Sequence, residues 1–234
     1  MNKKEDNFKE KFKQALTSTA KVISDDYKLN VKNANKNFSS KNLNFFEIDN
    51  LSNKNDFIKL RAEADTFAVK KKFSDIKIYQ KNLPNNASYK SLYNIAEKIR
   101  YEVLGGKMLK GIKKNLDENY YLKINLKRKD QLKSKEDVTI PEAFELYMLK
   151  KFHKIKLNSL TTKMLNFWEK DFEKSIDQHI DFLSKNLENQ DIYSLKFSKI
   201  LQEMNIFGDN ENNDNNEEKN HEDQKNEQNN NEDE

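Results

Sequence analysis

Five charged residues stand out for their setting: Arg61 and Asp65 within "LRAEADTFAVKKKFSD" (60–75), and Glu97, Arg100 and Glu102 within "AEKIRYEVLGGKMLKGIKKNL" (96–116). Most polar positions elsewhere in the chain are Lys, Asn, Asp or Glu, yet these stretches alternate charge with small or apolar residues on a helical period. Residues four apart (Arg61, Asp65) and three apart (Glu97, Arg100) share one side of a helix, so each pair can meet beside its apolar stripe. Three chemistries fit the set. The arginines can form structural ion pairs between adjacent helices, because a planar guanidinium matches a carboxylate in shape as well as charge. The same side chains can form a face on which a partner docks. Alternatively, the carboxylates can cluster around a hard cation, which prefers oxygen ligands.

Other chemistries find no support. The chain has no cysteine, which excludes disulfides and thiolate metal sites. His153, His179 and His221 lie on different segments without His-x3-His or His-Glu-x2-His spacing, so each reads as a packing or surface residue. "GGKMLKG" lacks the order of a phosphate-binding P-loop, and no nucleophile elbow is present. No catalytic, cofactor-binding or metal-binding residue is therefore assigned.

The elements that must carry the charged set are helical. Phe8, Phe12, Ala15, Leu16, Thr19, Val22 and Ile23 recur at helical spacing and predict a first helix. Asp56 or a neighbouring Asn can cap a second, with Phe57, Leu60, Ala64, Phe67 and Ala68 on its buried face. Between Tyr27 and Asp49 the Asn-rich sequence reads as loop, with one small hairpin from "YKLNV" and "LNFFEI". After a turn at Pro84, a third stripe runs from Leu92 through Ile95, Ala96 and Ile99 to Val103. Gly105 and Gly106 must end that helix, kink it, or admit another backbone closely.

The period resumes through Leu109, Ile112, Leu116 and Tyr120, followed by a polar connection from Lys123 to Val138. Pro141 suits the first turn of the next helix. Leu160 to Leu187 carries the longest stripe, about seven turns, and reads as one helix forming the spine. A last short helix holds Ile192, Leu195, Ile200, Leu201 and Met204, with Gly208 as its stop. The expected fold is mainly all-α: a multi-helix bundle (1–208) with a loop-rich or hairpin insertion near the N-terminus.

Residues 209–234 carry a net charge of −9, leaving +13 on the preceding body. That tail is too polar to offset its chain entropy and is expected to be disordered. A basic body is compatible with binding nucleic acid, although Lys-rich composition explains it as well. The N-terminus has no apolar signal core and the longest wholly apolar run is Leu146–Leu149, which predicts a cytoplasmic protein without membrane contact.

The two quoted blocks resemble the N-terminal region of the cobaltochelatase subunit family CobT. Leu60, Arg61, Ala64, Asp65 and Ala68 match its first block; Ala96, Glu97, Arg100, Glu102, Gly105 or Gly106, Gly111, Asn115 and Leu116 match its second. The similarity runs from about Leu16 to Gly208, where "FGDN" coincides with entry into the family's acidic linker. The resemblance implies a non-catalytic scaffold in the ATP-dependent machine that inserts cobalt into a corrin ring. It implies a CobS-like AAA+ subunit and a large CobN-like subunit as partners, with ATP, Mg and Co belonging to the whole complex. Ala62 replaces a family glycine, and Ser74 and Tyr79 stand where the family carries histidines. The family's von Willebrand A domain is missing after the linker, so the chain is expected to be a fragment, a split product or a degraded gene. Beside this reading stand two others: a basic helical module that binds nucleic acid, and an adaptor re-used with another AAA+ protein.

Overall fold

Asn86 starts the central rod of the molecule: its side chain accepts from the amides of Ser88 and Tyr89, satisfying donors that a helix start leaves unpaired. The computed structural model describes residues 3–29, 53–126 and 134–207, and among these there is no β-strand. The helices are α1 (Lys3–Ser24), α2 (Lys54–Phe73), α3 (Ile76–Lys81), α4 (Ala87–Met108) and α5 (Lys110–Asn125). They continue with α6 (Ile140–Met148), α7 (Ser159–Asn166), α8 (Glu169–Ile176), α9 (Ile180–Lys185) and α10 (Gln190–Glu203). The asparagine-rich composition is put to use at their starts, since Asn53, Asn86, Asn158 and Asn189 cap α2, α4, α7 and α10. Thr139 caps α6, with Pro141 in its first turn.

Helix α4 is the hub, packing against α2, α5, α6 and α10. Its buried stripe of Leu92, Tyr93, Ala96, Ile99 and Leu104 has helical spacing and faces the core. It runs on through both glycines to Met108, and their role is close approach. A Cβ on Gly105 would lie 2.4 Å from Val69 Cγ1 of α2, a distance real Cβ atoms do not reach. One extended residue, Leu109, then reverses the chain into α5. Tyr120 of α5 returns to Glu102 of α4, so the two helices form an antiparallel hairpin.

Helices α1 and α2 run side by side in the same direction. Phe8 and Phe12 stack edge-on against Phe57 at one end, and Asp25 and Asp26 pair with Lys72 and Lys71 at the other. α10 lies antiparallel to α4, with Ser194 beside Glu97 and Met204 beside Tyr89.

The single spine expected from Leu160 to Leu187 is not formed. Three short helices, α7, α8 and α9, replace it, broken around Trp168 and at a tight turn over Asp177–His179. Apolar residues at Trp168, Phe172, Ile176 and Ile180 are each four apart, a step that drifts by about 40° on a straight helix with 3.6 residues per turn. Over three steps the stripe would leave its neighbour. Cutting and re-aiming the rod keeps Phe172, Ile176 and Leu183 fully buried. The Trp168 indole N–H, donating to the Val138 carbonyl at 3.0 Å, anchors one break. The tyrosine hydroxyl of Tyr147, donating to Asp177, anchors the other.

The helical period gives no sign of the short α3, and α5 extends to Asn125, into the polar stretch that begins at Lys123. The hairpin reading falls almost wholly outside the described residues, as do Gly208 and the acidic tail.

Candidate functional site

Glu97 and Arg100 lie one turn apart on the inward face of α4, 3% and 1% exposed. Arg100 Nε donates to both Glu97 carboxylate oxygens, at 3.1 and 3.2 Å. Its Nη1 donates to the Leu187 carbonyl at 3.0 Å; its Nη2 donates to the Phe73 carbonyl at 2.7 Å and to Ser74 Oγ at 3.3 Å. The Phe73 carbonyl is one that the end of α2 leaves without a helical donor, and a cation there also meets the negative end of the helix dipole. Glu97 receives two more donors from α10: Ser194 Oγ at 2.7 Å and Gln190 Nε2 at 3.2 Å. The Tyr193 ring lies 5.9 Å from the guanidinium. This clamp therefore joins α4, the end of α2, the loop after α9 and the start of α10.

Above the clamp opens a groove of about 670 Å³. One rim is Lys72–Asp75 with Ile78; the other is Glu188–Asp191. Arg100 donates to Phe73 and Ser74 of one rim and to the carbonyl of Leu187, the residue just before the other rim. Gln190 closes the same gap, accepting from the Asp75 amide at 2.6 Å and donating to its carbonyl at 3.3 Å. The rims cannot separate without breaking buried, charge-assisted hydrogen bonds.

A second polar cluster lies further along α4. Glu102, 1% exposed, accepts from Thr66 Oγ1 of α2 at 2.7 Å and from Tyr120 Oη of α5 at 2.5 Å. His153 sits beside it, with its Nε2 3.7 Å from Glu102 Oε2 and its Nδ1 4.0 Å from Asp117 Oδ1. Burial raises the Glu102 carboxyl above its ordinary range, against the nearby Lys98 charge and the two hydroxyl bonds. Burial also pushes the His153 imidazole down to about 4.

Of the sequence-selected residues, Glu97 and Arg100 meet, whereas Arg61 and Asp65 do not form the expected i,i+4 pair. Asp65 points inward and accepts from Asn115 Nδ2 of α5 at 2.6 Å, while Arg61 remains exposed and reaches it only through its field. Burial raises the Asp65 carboxyl, with the Asn115 hydrogen bond and Arg61 acting in opposition. Sinking both charges would have needed additional partners for the guanidinium, and α2 offers it solvent instead. Glu102 turns away from Arg100 toward the hydroxyls. The carboxylates of Asp65, Glu97 and Glu102 thus go to three separate sets of partners.

Ser74, Gln190, Ser194, Thr66, Tyr120 and His153 complete the clusters without having been singled out as partners. The sequence marks Tyr120 by its place in an apolar stripe and Ser194 as a polar residue between Tyr193 and Phe197. Among the described residues no three His, Asp or Glu side chains converge to hold a metal. No described helix is long and apolar enough to cross a membrane.

No solved structure matches the chain. The family described as "Cobalamin biosynthesis protein CobT" matches residues 6–234, nearly the whole sequence, from the first turn of α1 onward. The chain accordingly belongs to the CobT family, whose work is in cobalamin biosynthesis.

Proposed function

We propose that this chain is a non-catalytic adaptor of an ATP-dependent cobaltochelatase, and that the groove over Arg100 is where an AAA+ subunit docks. The observation that carries the reading is the clamp itself: Arg100 commits Nε, Nη1 and Nη2 to protein acceptors, so it fixes two rims and offers little to a substrate. Such a site presents a surface of fixed shape, which lowers the ordering cost of association. The outward side chains on the rims, Lys72, Glu188, Asn189 and Asp191, supply mixed charge for selecting a partner.

The nucleotide and its Mg²⁺ belong to the AAA+ partner in this reading, and the cobalt ion is cargo. The described residues do not fit a metal, so no step is assigned to one here. Co-purification with the AAA+ subunit tests the proposal. Glu188→Lys, on an exposed rim and outside the clamp, is expected to weaken the complex at least ten-fold while leaving thermal unfolding unchanged. An AAA+ subunit that never co-elutes with the unaltered chain sinks the adaptor reading; full binding by Glu188→Lys moves the docking face elsewhere.

A further inference from the structure

His153 lies between two carboxylates, and the number of protons there does not balance unless one carboxyl is itself protonated or the imidazole is charged. A neutral imidazole offers one N–H and one lone pair. Whichever nitrogen holds the hydrogen, the other turns a lone pair toward a carboxylate oxygen, at 3.7 Å for Nε2 and Glu102 or 4.0 Å for Nδ1 and Asp117. Two atoms of this array, His153 Nε2 and Asp117 Oδ1, are buried without a hydrogen-bond partner. A buried polar atom without a partner destabilises the fold, so the array favours the state that removes the opposed lone pair and charge.

The two carboxylates are not equivalent. Asp117 has a cation of its own, Lys113 Nζ at 2.5 Å on Oδ2, and is partly exposed. Glu102 is 1% exposed and receives only neutral hydroxyls within hydrogen-bond distance. The added proton is therefore placed on the buried member.

We propose that Glu102 is a carboxylic acid at neutral pH, so that no carboxylate charge faces the Nε2 lone pair of neutral His153 at 3.7 Å, and that this neutral contact lets the end of α6 stay latched to the α4–α5 hairpin. His153 closes a wide helical turn, Leu149–His153, after which Lys154 takes a left-handed conformation at φ 59°. That turn packs against α4, so His153 is its inward anchor.

The surrounding charges set the strength of the latch. From α4, Lys98 favours the ionised form of Glu102, and Lys123 from α5 acts in the same sense. Lys98 is partly occupied by Glu145 of α6 at 3.4 Å, and Lys113 of α5 opposes charging of His153. Tyr101 of α4 and Tyr120 of α5 feel the Glu102 charge, and Glu63 of α2 faces Lys123. Burial outweighs the lysines at Glu102, and at His153 it outweighs the Asp117 charge that favours an imidazolium. The folded-state pKa of Glu102 is raised, so its stabilisation is complete at low pH and is lost as pH rises through that value. The departing proton goes to solvent and leaves a carboxylate facing a lone pair.

Infrared difference spectra of the unaltered chain against Glu102→Gln at neutral pH test the protonated carboxyl directly. A carboxylic-acid carbonyl band that the substitution removes is expected; its absence overturns the proposal. Nitrogen NMR of the unaltered chain gives a second reading that does not depend on a variant: a neutral His153 is expected, and an imidazolium at neutral pH overturns it. Hydrogen exchange corrected for intrinsic rates then tests the latch. Amides of residues 149–155 should open more at mildly alkaline pH in the unaltered chain but not in Glu102→Gln, where the side chain stays uncharged at every pH. Equal opening in both removes the latch.

Discussion

Two charged clusters lie on neighbouring turns of α4, and they solve the problem of burial in opposite ways. At Glu97 and Arg100 every charge meets an opposite charge or an oriented donor, and the ions stay paired with four segments of chain. Around His153 the contacts to the Glu102 and Asp117 carboxylates are too long for hydrogen bonds, and His153 Nε2 and Asp117 Oδ1 are left without partners. The difference comes from what each carboxylate finds opposite it. A guanidinium brings its hydrogens permanently, whereas an imidazole brings one or two according to pH. The first cluster can therefore act as a fixed joint, and the second is suited to respond.

Removing Arg100 is the most direct way to break this contrast. Arg100→Ala strands the buried Glu97 carboxylate and should cost roughly 3 to 5 kcal/mol in denaturant unfolding, as expected when one partner of a buried pair is deleted. Glu102→Gln, by comparison, should cost far less at neutral pH; similar losses for the two would show that both carboxylates are ionised and alike.

Acid affects the two clusters differently. The folded-state pKa of His153 is about 4, below its value of 6.5 when unperturbed, so the unfolded chain takes up the proton first. Stability should fall as pH drops from about 6.5 toward 4, and His153→Gln should flatten that fall by up to about 3 kcal/mol. An unchanged acid limb in His153→Gln would place the sensitivity elsewhere.

Gly105→Ala gives the smallest effect and touches both clusters, because the α2–α4 contact carries the Thr66 bond to Glu102 and the Arg100 bond to Phe73. The added methyl meets Val69 Cγ1 and should cost about 1 to 3 kcal/mol in thermal or denaturant unfolding. Val69→Ala in the same chain should recover part of that loss.

The sequence revealed helices well where the rod runs unbroken and its apolar stripe keeps one period, as in α1, α2, α4 and α10. It failed from Leu160 to Leu187, because an apolar period records which residues are buried but not whether the rod bends to bury them. Pairing followed the same division. Glu97 and Arg100 meet within one turn of a single helix, which spacing alone can suggest. Asp65 chose Asn115, fifty residues away, and Gln190 and Ser194 reach Glu97 from the last helix, so those partners depend on tertiary packing that spacing does not encode.

The parallel run of α1 and α2 constrains how the chain reaches this state. A hairpin can zip from its turn, but two helices pointing the same way meet only after the intervening chain has doubled back along their length. That closure costs entropy before any contact rewards it. The α4–α5 hairpin, joined by the single residue Leu109, carries no such delay. Assembly should therefore start at the middle of the sequence and recruit α1 last, making the first helix the piece most easily detached and rejoined.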